Sequence, residues 1–187
     1  MYRLGLLPLV RELHVVNGYP YIWLSKGLFN RNVLRPFLTF TNVRELEIDF
    51  LDIPSFLPGI RRYFGHFPPT VRSLTLREPR GSRREIIYFI GLFQHLQDLK
   101  LCYDVAKPEE PADDLTMTPS FIPPLQGWLT LFCLRRVDLL KDMIDLFGGI
   151  RFRYMHLRNV DGMRFLLGAC AKTLEVVVLD PTDPHGG

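Results

Sequence analysis

The side chains that could do chemistry in this 187-residue chain are scattered. No GxxxxGK[ST] phosphate loop, GxGxxG turn, GxSxG elbow or HExxH helix occurs. Five histidines stand singly. His14 and His156 fall at outward positions of expected strands, and neither has a second ligand at metal spacing along the chain. Both read as solvated or hydrogen-bonded surface imidazoles. Asp49 and Asp52 could be imagined as a general acid/base pair, yet two carboxylates at a strand end read first as a polar rim. Cys102, Cys133 and Cys170 form no CxxC pair and no Cys/His ligand set. They read as reduced packing thiols, the usage of a cytoplasmic or nuclear protein. The residues therefore point to no enzyme, no metal and no cofactor.

Binding chemistry is better represented. The run Arg77 to Arg84, REPRGSRR, could touch phosphate or an acidic ligand. It lacks the interleaved aromatics that stack bases, and a turn between strand and helix must be polar in any case. Nucleic acid is thus the lesser reading, and an unrecognised enzyme is another. Trp128, Phe132 and Tyr154, with His156 and Arg158, are of the types that dominate protein-binding hot spots or flank them. All five fall on the outward side of expected strands, as do Glu45, Glu47 and Lys100 earlier in the chain. These eight form the candidate partner-binding face. The alternative is that a following loop or terminal segment folds over the rings.

The elements that carry these residues are set by one reference stretch, Pro68 to Leu101. Val71, Leu74 and Leu76 have the spacing of a short strand, and Leu96, Leu99 and Leu101 repeat it. Between them Ser82 and Glu85 form a capping box, and Ile86, Phe89, Ile90 and Phe93 make one apolar helical stripe. The strand marker recurs at Leu13, Leu46, Leu74, Leu99, Leu129, Met155 and Val177, a mean interval of about 27 residues, within the range of leucine-rich repeats. A second core position follows two residues later each time, from Val15 to Leu179. The preceding position is apolar except for Gln126. Further stripes are Ile60, Tyr63, Phe64, Phe67; Leu140, Met143, Ile144, Phe147; and Met163, Leu166, Leu167, Cys170. A short helix is expected near Leu34, Phe37 and Leu38. Asp138 and Asp161 are expected N-caps, and Gly148 with Gly149 a helix stop. Leu134 to Leu139 also resembles a strand, but the even interval and the stripe starting at Leu140 place the strand at Trp128 to Phe132.

The expected fold class is α/β, a leucine-rich-repeat-like solenoid with parallel strands on one face and helices on the other, forming a single domain over residues 1–187. Residues 107–119, with three prolines and four carboxylates, read as a mobile acidic loop. A net charge of +3 is too balanced to imply nucleic acid or an anionic membrane. No apolar run approaches the roughly 20 residues needed to span a bilayer. Val176 and Val178 are apolar on a face that should meet solvent, so both ends of the array are expected to pack on further sequence.

The cores VRELEI, VRSLTL and LQDLKL, the segment LLKDMIDLFGGIRFRYMHL and the ending GACAKTLEVVVLDPTDP resemble the leucine-rich-repeat-like region of F-box proteins of mushroom-forming fungi. The resemblance implies a substrate-recognition solenoid for a ubiquitin ligase, in which a separate F-box holds the cullin adaptor. The chain departs from the pattern in two ways. It has no recognisable F-box helices ahead of Leu13, and the asparagine or cysteine position of a standard repeat is filled irregularly, as by Asp104. The 187 residues then read as a fragment of a longer F-box protein, with adaptor binding only where an F-box is present elsewhere.

Overall fold

The computed structural model describes residues 9–16, 40–54, 69–103, 125–135, 137–146 and 149–180. Seven strands run through them: β1 (Glu12–Val16), β2 (Glu45–Asp49), β3 (Ser73–Arg77), β4 (Asp98–Cys102), β5 (Gln126–Phe132), β6 (Arg151–Arg158) and β7 (Val176–Asp180). Three helices are α1 (Arg83–Gly91), α2 (Val137–Leu146) and α3 (Met163–Cys170). The expected helices near Leu34 and Ile60, Phe147, Asp104 and the 107–119 loop lie outside the described residues. The fold is α/β, with all seven strands parallel in one sheet whose order follows the chain. No helix among the described residues is long and apolar enough to cross a membrane.

Alternation along each strand divides the side chains between two faces. The inward residues pair in register across the sheet as two rows, one from Leu13 through Leu46, Leu74, Leu99, Leu129 and Met155 to Val177, the other from Val15 to Leu179. From β2 to β6 each of these is at most 2% exposed. Burying one such side chain contributes about 1.5–3 kcal/mol, so register is strongly held there. β7 departs from expectation, because Val177 and Leu179 are 37% and 54% exposed. As an edge strand β7 has a neighbour on one side only, and no described helix lies over it.

The helices cover the inward face. Ile86, Phe89, Ile90 and Phe93 are buried as their spacing predicts, with the Phe89 and Phe93 rings edge to face at 5.4 Å. In α2 Leu140 and Met143 are buried, and in α3 Leu166 and Cys170. The capping box at α1 is complete: Glu85 N–H donates to Ser82 Oγ at 3.3 Å, and Ser82 N–H donates to Glu85 Oε2 at 2.7 Å. The other two expected caps are corrected. Helix α2 already starts at Val137, which puts Asp138 in its first turn. The N-cap of α3 is Gly162, not Asp161. Gly162 has φ 76°, and a Cβ there would come within 2.9 Å of Val137 Cγ1, so the close approach to α2 requires glycine. The expected helix stop holds at Gly149, with φ 97° and its N–H donated to the Ile144 carbonyl.

Two local devices were not expected. The residue after β2, β3, β5 and β6 is left-handed without being glycine: Phe50, Glu78, Cys133 and Asn159, with φ between 49° and 56°. Each reversal turns the next residue into the core, and Leu51, Pro79, Leu134 and Val160 are all buried. These four buried side chains plug the core at the strand exits. The second device corrects Gln126. The register of β5 with β6 shifts between Gly127 and Trp128, so the buried residue ahead of β5 is Leu125, at 5% exposure, while Gln126 points to solvent. The extra residue lies on β6, where Arg153 falls between the paired Phe152 and Tyr154, and Gly127 faces this bulge with φ 93°.

Candidate interaction face

The outward side chains form three rows across the sheet. One runs Glu12, Glu45, Ser73, Asp98, Trp128, Tyr154, Val176; the next His14, Glu47, Thr75, Lys100, Thr130, His156, Val178; the last Val16, Asp49, Arg77, Cys102, Phe132, Arg158, Asp180. All eight candidate residues thus lie on this one face. Glu45 and Glu47 are on its β2 side, Lys100 is half-buried at its centre, and the other five lie on β5 and β6.

On β5 and β6 the rings pair across the strands. Trp128 stacks on Tyr154 with centroids 4.4 Å apart and planes at 22°, and Trp128 remains 58% exposed. Offset stacking of this kind holds the indole in place while leaving its outer face open. Phe132 and His156 meet at nearly right angles with ring centroids 5.2 Å apart, and His156 Nε2 lies 2.8 Å from Asp180 Oδ2. Arg158 is exposed. At the register shift Trp128 N–H donates to the Gln97 carbonyl at 2.8 Å, which ties the backbone under the indole to the start of β4. Below the stack an open depression of about 750 Å³ is bounded by Trp128, Tyr154, Gln97, Arg151 and Lys172. Arg153 at its rim pairs with Glu175.

The β1 to β3 side is a charge network. Arg77 Nε donates to Glu47 Oε1 and lies 3.5 Å from Asp49 Oδ1. The Glu47 hydrogen bond, opposed by partial burial, holds the Arg77 guanidinium above its ordinary pKa. His14 Nε2 is 3.1 Å from Asp49 Oδ2 and 3.8 Å from Glu47 Oε1. This corrects the expectation that His14 has no neighbouring ligands: they come from β2, on the rung beside it and one step along. His156 has a carboxylate neighbour as well, in Asp180. Asp49 belongs to this network, whereas Asp52, beyond the Phe50 reversal, bridges to Arg80 along the backbone.

The basic turn is partly tied down. Arg77 is engaged as described, and Arg83 reaches Asp138 and Asp142 of α2 at 3.4 and 3.5 Å. All three cysteines are free thiols. Burial pushes Cys102 and Cys170 up from the ordinary thiol range, away from nucleophile chemistry. Comparison with known protein families, curated proteins and solved structures finds no match to this chain.

Proposed function

We propose that this chain is a leucine-rich-repeat-like solenoid whose open sheet face binds a protein partner. The observation that carries the reading is the exposed Trp128 stacked on Tyr154, a rigid aromatic anchor that shares its sheet face with Arg158 and that no described helix covers. Sequential parallel strands, three of whose connections carry a described helix, favour the solenoid, since each unit buries its apolar side against the next. The sequence resemblance to F-box proteins makes the partner a ubiquitin ligase substrate. Engagement of the adaptor then depends on an F-box outside these residues.

The test is quantitative capture of interacting proteins on the wild-type chain and on Trp128→Ala/Tyr154→Ala. The partner retained by the wild type should bind the double variant about thirtyfold more weakly, the size of a hot-spot loss near 2 kcal/mol. Circular dichroism should be unchanged, because both rings stand outside the core. Equal binding by the two proteins would place the interface elsewhere. An assay with RNA or DNA decides the lesser reading, since salt-sensitive binding lost on Arg80→Ala/Arg84→Ala would favour it.

A further inference from the structure

We infer that His14, Glu47 and Asp49 form a binding site for a transition-metal dication of the zinc class. The three side chains belong to β1 and β2, whose register is fixed by the parallel ladder, and all rise from the same face. Their ligand atoms lie within 4.8 Å of one another. A tetrahedral ion with metal–ligand bonds of about 2.1 Å separates its ligands by about 3.4 Å. The two distances from His14 Nε2, 3.1 and 3.8 Å, bracket that value.

The surroundings suit a cation as well. Asp49 presents Oδ2 to the imidazole, while its other oxygen, Oδ1, is shut off from solvent and has no hydrogen bond. Arg77 lies beside Oδ1 and donates to Glu47 Oε1, the oxygen that faces His14, so an ion there shares that oxygen with the guanidinium or takes Oε2. With Arg77 the cluster carries two carboxylates against one guanidinium, so a dication is attracted. One imidazole nitrogen with two carboxylate oxygens selects zinc, cobalt or nickel over magnesium and calcium, which require more oxygen ligands. His14 is half exposed, so the fourth position faces solvent. An ion held there clamps the edge strand β1 to β2 and offers a free coordination position on the same face as the aromatic anchor.

The experiment is equilibrium competition for Zn²⁺ against a chromophoric chelator, using the full 187-residue chain freed of any affinity tag. One equivalent should bind at micromolar concentration, with excess Mg²⁺ failing to displace it. His14→Asn and Glu47→Gln should each weaken binding more than about tenfold. His156→Asn should leave affinity and stoichiometry unchanged. Because His14 is half exposed on an edge strand, His14→Asn is expected to keep the wild-type circular dichroism spectrum, and that variant decides the question if the others misfold. Absence of saturable uptake at micromolar Zn²⁺, or uptake that survives His14→Asn, overturns the assignment.

Discussion

Gly127 controls more than its size suggests. It lies where the register of β5 with β6 shifts, and a Cβ there would sit 2.1 Å from the Gln97 carbonyl oxygen, a backbone atom that cannot step aside. Gly127→Ala adds a steric clash to an unfavourable positive φ, and a loss of about 2 kcal/mol or more is expected. A denaturant titration checks this; a change below about 0.5 kcal/mol, the size of an ordinary surface substitution, would mean that the bulge can relax. The same residue marks a limit of legibility. Leu125 takes the buried position that one-residue counting assigned to Gln126, because a bulge shifts the alternation without changing composition. His14 was likewise unreadable as a neighbour of Glu47 and Asp49, since they meet through strand pairing across about thirty residues of chain.

Among the elements, α1 is the most completely specified by local chemistry. Its stripe, cap and C-terminal contact all agree, and it supplies the one buried charged residue among those described, Glu85, whose carboxylate is satisfied by the Ser82 N–H. Ser82→Ala should cost about 1 kcal/mol, with Ser82→Thr restoring most of it. An unaltered melting temperature in Ser82→Ala would show that the carboxylate alone caps the helix. The helix starts of α2 and α3 were harder to read. Asp138 and Asp161 are good capping types, but tertiary contact decided the boundaries: Val137 packs on Gly162, and Asp138 turns to Arg83. The left-handed strand exits were invisible for a related reason. Phe50, Glu78, Cys133 and Asn159 share no residue type, and only the buried residue that follows each explains the turn.

For the molecule as a whole, the parallel strand order and both inward rows were legible, because period-two alternation at nearly even intervals admits few other pairings. The end of the sheet was legible too, in that Val176 and Val178 are 45% and 47% exposed. Together with Val177 and Leu179 they give β7 an apolar surface on both faces beside a strand edge that is open among the described residues, a combination prone to intermolecular pairing. Light scattering should show concentration-dependent association that Val176→Lys/Val178→Glu relieves. A wild-type monomer at all concentrations would show that the edge is protected. The chain-ordered sheet also has a consequence in time. Among the described residues each strand is hydrogen-bonded only to its neighbours in chain order, so opening can begin at an edge and proceed rung by rung, without passing through the centre. Amide hydrogens of β7 should exchange with deuterium first and those of β3 and β4 last, a graded clock along the chain. Uniform exchange across the strands would mean that the sheet opens in a single cooperative step.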